Sequence, residues 1–222
     1  MRRYLLLAIM VCSVGLTASA QEQEQPQEPE IERKFKLVFR QSAGIFIGHP
    51  SEGINATLNT QLQTKKLFGF GLDLTNGIYE SPNLNVNPGA NEIANYDPAT
   101  DGPIPELLIN GSDKDKFWGI SAFISKGFDV NEHIAFEFQG GPSLALIKKR
   151  TFTYTYSEAS GSFGPYVIAN SFGSTETAFG GYLRAYASLK IGKVFLVELS
   201  PYANFNNIEN ELGAQLGIGF KI

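Results

Sequence analysis

The sequence predicts an all-β fold: an eight-stranded antiparallel up-and-down transmembrane barrel with long outer loops. Three observations lead to this prediction: a secretory leader, eight segments in which apolar and polar residues alternate, and short and long connections on opposite sides. The clearest segment is 212–222, LGAQLGIGFKI, in which every even position is apolar and every odd position is Gly, Gln or Lys. A period of two predicts a strand with one apolar face, and a tilted strand needs roughly 9 to 11 residues to cross a bilayer.

Residues 1–20 have the three parts of a secretory signal peptide. Two arginines form a basic start, 4–16 is an apolar run, and Ala-Ser-Ala at 18–20 is a small-residue cleavage site. The run is too short and wrongly flanked for a transmembrane helix. The chain's one cysteine, Cys12, lies inside this leader. We therefore expect the exported chain to fold without disulfides.

The segment after the leader, 21–33, reads QEQEQPQEPEIER. It has almost no apolar side chain to bury, so we predict a disordered periplasmic tail. A tail that docks onto a partner is the alternative. The remaining residues, 34–222, form the predicted barrel domain.

Eight segments of this domain alternate between apolar and polar residues with a period of two, as strands with one apolar face do. The segments are 35–47, 54–63, 68–74, 118–125, 134–156, 179–189, 195–204 and 212–222. Their second faces carry many Asn, Gln, Gly and charged residues, which would starve the core of a soluble secreted sandwich, the alternative fold. A membrane barrel has a polar interior and an apolar exterior, which fits this pattern.

The connections between the segments differ in length. Short ones at 64–66, 127–131 and 190–193 fall on one side of the predicted sheet, and the long segment 76–116 falls on the other. An aperiodic connection of that length is uncommon inside a compact soluble domain. It is normal for the outer loops of a membrane barrel, whose periplasmic turns are short.

These features together resemble the small outer-membrane β-barrel domain family of Gram-negative bacteria. The resemblance rests on the signal site at 18–20, the eight alternating segments and the terminal GIGFKI strand with Phe220 and Ile222. It implies location in the outer membrane, contact with outer-membrane lipid, and a last strand that the barrel-assembly machinery recognises through Phe220 and Ile222. We expect a monomer.

Several charged residues occupy the alternate strand positions that would face the barrel interior, and both positive and negative charges are among them. An unpaired charge in a narrow, poorly hydrated interior costs several kcal/mol, so we predict cross-strand pairs, with Arg184 and either Glu198 or Glu137 as the first candidates. Eight strands leave room for side chains and little more, so we expect no open pore; a small channel for minor or apolar solutes is the alternative. The predicted interior charges are Lys36, Arg40, Asp73, Glu137, Arg184, Glu198 and Lys221.

The sequence offers little for catalysis. Its two histidines, His49 and His133, fall at opposite ends of the predicted barrel, and no cluster has the spacing of metal ligands. Without the two leader arginines, 16 basic residues remain against 22 acidic ones, so the net charge is −6 and a nucleic-acid partner is not expected. We predict neither enzyme activity nor a cofactor or metal; an outer-membrane hydrolase or acyltransferase is the least favoured alternative.

Function is predicted to lie on the outer loops, chiefly 76–116 and the hairpin 147–178, because the membrane band constrains the strands themselves. In the hairpin, Phe152, Tyr154 and Tyr156 alternate with threonines. This aromatic face is a candidate surface for an unknown extracellular ligand, with strand addition at an exposed edge as one mode of binding. An aromatic girdle at the outer membrane interface is an equal alternative. The predicted role is therefore structural or surface-binding.

Overall fold

The computed structural model describes residues 35–48, 52–64, 66–158 and 165–222. The predicted signal peptide at 1–20, the predicted tail at 21–33 and His49 lie outside these residues. Within the described ranges, no helix is both long enough and apolar enough to span a membrane.

The described residues form an all-β structure of ten strands and one 3₁₀ turn at Ala90–Glu92. Eight strands are long and two, β4 and β5, are short. In chain order the strands are β1 (Phe35–Gly48), β2 (Glu52–Thr64), β3 (Phe68–Glu80), β4 (Ile93–Ala94), β5 (Leu107–Asn110), β6 (Lys114–Asp129), β7 (Ile134–Ser157), β8 (Tyr166–Ile191), β9 (Phe195–Asn206) and β10 (Asn210–Lys221).

The eight long strands form a closed ring. Each pairs antiparallel with the next long strand along the chain, from β1–β2 to β9–β10. The ring closes because β10 also pairs antiparallel with β1, with Ser42 opposite Gly217. The two short strands differ: β4 pairs in parallel with β7, and β5 pairs in parallel with β8. The sheet is therefore mixed, whereas the sequence predicted a purely antiparallel one.

Burial in the ring is the reverse of that in a soluble protein. Large apolar side chains such as Leu72 and Trp118 point outward and are exposed, Trp118 by 63%. Polar and charged side chains such as Arg40, Asp73 and Gln61 point inward and are buried. This follows from the period of two, because neighbouring residues of a strand point to opposite faces of the sheet.

The strands extend further than predicted at one end of the ring. β3 continues to Glu80 and β6 begins at Lys114, so the long connection is 81–113 rather than 76–116. β8 begins at Tyr166, well before the predicted start at residue 179. Its first half has little apolar alternation, but every residue from Tyr166 to Thr177 is in register with β7, so backbone pairing maintains the strand where the side-chain pattern does not.

The two ends of the ring differ in their connections. The short connections from β2 to β3, from β6 to β7 and from β8 to β9 form the short-turn end. The opposite, long-loop end carries the connection 81–113 and the connection from β7 to β8, but also two short connections, from β1 to β2 and from β9 to β10. Of the four connections at the long-loop end, two are therefore long, as predicted, and two are short.

Candidate functional site

Arg40 is the centre of one buried charge cluster in the ring interior. Its Nε lies 3.0 Å from Oε1 of Glu198 and its Nη2 lies 3.0 Å from Oε2 of Glu137. Its Nη1 donates to Oε1 of Gln61, and the guanidinium stacks over the Tyr186 ring at 4.5 Å. One cation therefore pairs with two carboxylates from different strands, which offsets part of the cost of burying them.

Arg184 is the centre of a second cluster. Its Nη1 lies 3.2 Å from Oδ2 of Asp73, and the Tyr182 hydroxyl donates to the same oxygen at 2.9 Å. Arg184 also donates to the Tyr186 hydroxyl at 3.2 Å, so this tyrosine contacts both arginines. The predicted pairing of Arg184 with Glu198 or Glu137 is wrong. The alternation along a strand predicts which face of the sheet a side chain occupies. Its height along the barrel axis, which decides which charges meet, depends on the register of all eight strands.

Lys36 does not join these clusters. It is exposed at the short-turn end, and no ion pair links it to another described residue. Lys221, directly opposite Val38, also lies at this end and is half-buried. Inward parity alone does not place a residue in the interior, because the first residues of a strand lie at the mouth of the ring.

The long-loop half of the interior is filled with apolar side chains, a feature that the sequence analysis missed. Phe46 packs edge-to-face against Tyr79 and Phe117, with ring centroids 5.8 and 5.6 Å apart. Ile147 and Tyr202 complete this cluster, which we call the aromatic plug, together with two alanines. Large rings at inward positions near the ends of β1, β3 and β6 are the sequence signal that could have predicted it.

An inward glycine accommodates the plug. A Cβ added at Gly213 would lie 2.5 Å from the Tyr202 ring, so any larger residue requires Tyr202 to shift. Tyr202 of the neighbouring strand β9 is the ring in contact, since it is directly opposite Gly213.

Beyond the ring, the β7–β8 hairpin and the loop 81–113 form a separate layered unit, which we call the outer platform. Its small core contains Tyr154, Val167 and Ala169 beneath Ile93 of the loop. Phe152 and Tyr156 are half-buried against it, and the Tyr154 hydroxyl accepts a hydrogen bond from the backbone N–H of Asn85 at 2.7 Å. The predicted aromatic face is thus covered by the loop, so it forms neither an exposed binding surface nor a membrane girdle.

The hairpin edges are occupied as well. β4 pairs with β7 at Tyr154 and Thr155, and β5 pairs with β8 from Val167 to Asn170. Strand addition at these edges, as the sequence suggested, would have to displace β4 or β5. The physical reason is general: an open strand edge exposes unpaired backbone groups, and here the protein's own loop covers them.

Three carboxyl groups, those of Glu209, Glu211 and Asp115, are buried at the long-loop end, outside the outward apolar band. Glu209, in the turn between β9 and β10, accepts a hydrogen bond from the Tyr79 hydroxyl at 2.8 Å. Burial raises its pKa above the usual carboxyl range. Burial also raises the pKa of Asp115, whose Oδ1 accepts the backbone N–H of Arg150 at 2.7 Å. These groups close the interior above the aromatic plug.

The remaining predicted residues are placed as follows. Phe220 packs edge-to-face on Phe195 at 4.7 Å, and Ile222 donates its backbone N–H to the Leu37 carbonyl at 2.9 Å, so the last residues are integrated into the ring. Their role as an assembly signal stays a prediction. His133 lies exposed in the turn after β6. In the part of the chain that the structure describes, no three His, Cys, Asp or Glu side chains are grouped as metal ligands.

No family model matches this sequence, and no curated protein matches it. Solved structures do match in fold. The chain is similar to Ail, the attachment invasion locus protein of Yersinia pestis, with a TM-score of 0.51 and 10% identity over 86% of this chain and 100% of that chain. It is also similar to Neisserial surface protein A, with a TM-score of 0.50 and 12% identity over 86% of this chain and 98% of that one. The chain therefore has the fold of the small outer-membrane β-barrel proteins.

Proposed function

We propose that this protein is an eight-stranded antiparallel up-and-down transmembrane barrel of the Gram-negative outer membrane, which binds a partner at the cell surface through its outer platform. The observation that carries the membrane assignment is the outward apolar band around the ring. In water, exposed apolar side chains in such number would drive aggregation. In a bilayer, lipid covers them, and the closed ring leaves no unpaired strand edge.

The interior supports a closed barrel rather than a channel. The Arg40 and Arg184 clusters fill the half nearer the short turns, and the aromatic plug fills the half nearer the long loops. Planar-bilayer recordings of the purified protein test this, and we expect no stable conductance. Stable single-channel steps would contradict the closed interior and support the channel alternative.

The outer platform supplies the surface for recognition. Its face opposite the small core carries Leu108 and Phe172, both exposed, beside Asn110 and Asn170, whose side chains share a hydrogen bond of 2.9 Å. β4 pairs with β7 and β5 pairs with β8, so this face belongs to a four-stranded sheet rather than to a hairpin alone. A rigid face with a few exposed apolar side chains suits side-chain recognition of a partner.

The charge of the platform limits the kind of partner. The loop 81–113 contains five acidic residues, Glu92, Asp97, Asp101, Glu106 and Asp113, and neither Lys nor Arg. The similar structure of Ail was solved with the heparin analogue sucrose octasulfate. An acidic loop repels a sulfated ligand of that kind, so we infer a neutral or basic partner for this platform.

The test uses cells that express the protein in their outer membrane. Folding is followed by outer-membrane fractionation and by a heat-dependent gel shift, and binding by adhesion of the cells to an epithelial monolayer. We expect Leu108→Ser with Phe172→Ser to keep the gel shift and to lose adhesion, whereas the control Ile120→Ala, on the lipid-facing side, keeps both. Unchanged adhesion in the double variant, and in a variant with 150–177 replaced by a short turn, would contradict a surface-binding role.

A further inference from the structure

Three basic side chains lie together on the outward side of the ring, at the base of the outer platform. Lys116 of β6 is directly opposite Lys148 of β7, and Arg150 follows two residues later on the same face. Lys148 and Arg150 approach the same point, because a Cβ at Gly173 would meet Lys148 Cε at 3.1 Å and Arg150 Nη1 at 3.2 Å. We call these three residues the outer basic patch.

No salt bridge joins the side chains of this patch to another residue in the described part of the chain. Like charges directly opposite on neighbouring strands are destabilising. On the same outward face Glu80 pairs with Lys114 at 3.7 Å, and on the inward face Asp115 accepts the backbone N–H of Arg150 at 2.7 Å. In addition, the buried Nε of Arg150 has no hydrogen-bond partner. The patch therefore holds three positive charges that an anion would neutralise.

The position of the patch along the ring indicates which class of anion it binds. The next outward residues along the same two strands are Trp118 and Leu146, which are 63% and 49% exposed and begin the apolar band. Two residues along a strand span about 6 to 7 Å, so the patch lies one step above the hydrocarbon boundary, at the depth of lipid headgroups. A tryptophan at this depth is typical of the membrane interface.

Charge complementarity excludes a soluble polyanion as the preferred occupant. Any such ligand would approach past the loop 81–113, which carries five acidic residues and no basic one. A lipid phosphate reaches the patch sideways from the bilayer and avoids that repulsion. Two ammonium groups and one guanidinium, which can bind two phosphate oxygens at once, match a phosphorylated headgroup.

We propose that Lys116, Lys148 and Arg150 form a binding site for the phosphate groups of a phosphorylated glycolipid in the outer leaflet. This proposal rests on the proposed barrel in the outer membrane. It goes beyond that function because it assigns three named residues to one class of lipid. The site fixes the depth of the barrel and supports the base of the outer platform.

The experiment measures binding of a bisphosphorylated lipid A to protein refolded in zwitterionic detergent. Trp118, the only tryptophan of the chain, lies beside Lys116 on the same face and reports binding by its emission. Mass spectrometry of the retained lipid gives a second readout. The test variant is Lys116→Gln with Lys148→Gln. The matched control is Lys66→Gln with Lys193→Gln, which removes two exposed lysines from the short-turn end.

We expect saturable binding for the wild type and the control, and affinity lower by roughly tenfold or more for the test variant, as electrostatic attraction at the membrane surface predicts. Addition of Arg150→Gln should weaken binding further. Equal affinity for dephosphorylated lipid A, or unchanged affinity in the test variant, would overturn the proposal. So would a heparin fragment that binds through these residues while lipid A does not. A heat-dependent gel shift on the same samples separates these outcomes from failure of the barrel itself, in which the wild type would show no shift.

Discussion

One strand, β7, passes through two environments, and its side chains are buried differently in each. On the even-numbered face, Phe138 and Leu146 are exposed within the apolar band. Beyond Lys148 the same face carries Phe152 and Tyr154, which are covered by the loop 81–113. The face is apolar along most of its length, but only the upper part needs protein to cover it.

The opposite face of β7 changes in the reverse direction. Within the ring, Glu137 and Gln139 are buried and engaged in the Arg40 network. Above the ring, Thr151 and Thr153 are exposed. The two parts of β7 thus bury opposite faces. In the proposed barrel lipid covers the outward apolar face, whereas in the platform the loop 81–113 covers it.

The largest expected effect comes from breaking the polar core. Arg40→Met leaves Glu137 and Glu198 buried without their cation, which should lower the free energy of unfolding by about 3 to 5 kcal/mol. Urea unfolding in detergent, followed by the heat-dependent gel shift, measures this. Lys36→Met is the control, since it removes the same charge from the same strand at an exposed position. An equal loss in both variants would show that the Arg40 cluster has no special role.

Breaking the apolar core should have a local effect. Tyr154→Ala removes a ring that is 8% exposed and its hydrogen bond to Asn85, at a cost of about 3 kcal/mol. We expect a protease to cut within 81–113 in this variant while the ring keeps its gel shift. Thr153→Ala, the exposed neighbour on the other face, should leave cleavage unchanged. Loss of the whole barrel in Tyr154→Ala would show that platform and ring fold as one unit.

A smaller effect tests how tightly the ring is packed relative to the platform. Gly213→Ala places a methyl group 2.5 Å from the Tyr202 ring, and overpacking of this kind costs about 1 to 3 kcal/mol. Gly89→Ala, in the outer loop, meets nothing within 4 Å and has an ordinary φ of −71°. The urea midpoint of Gly213→Ala should therefore be lower than that of Gly89→Ala. Equal midpoints would mean that the ring adjusts around Tyr202.

The smallest effect is a pH dependence at the junction of the two regions. Burial raises the pKa of Glu209, Asp115 and Glu211 in the folded protein, that of Glu211 to about 8. The folded state then holds these protons more strongly than the unfolded chain, so stability is highest below the usual carboxyl pKa and falls as pH rises through the raised values. Urea midpoints measured upward from about pH 4 should decline less in Glu209→Gln. The control Glu80→Gln removes a carboxylate that is 84% exposed, and it should leave the slope unchanged.

Much of the ring is determined by the sequence itself. Alternation in segments such as 54–63 and 212–222 selects which side chains face inward, because a strand has a period of two whatever its neighbours are. The inward Arg40, Asp73, Glu137, Arg184 and Glu198 follow from the same parity. The number of long strands and the short turns at one end were also predictable, since both depend on local sequence.

Tertiary structure alone decided which charges meet and what covers the hairpin. Arg184 contacts Asp73 instead of Glu198 because the level of each side chain depends on the register of every strand in the closed ring. The loop 81–113 has no period from which its two parallel pairings could be predicted, and its position over Tyr154 depends on contacts between residues distant in sequence. Local pattern specifies the faces of each strand, whereas the partners of those faces are set only when the ring closes and water or lipid surrounds it.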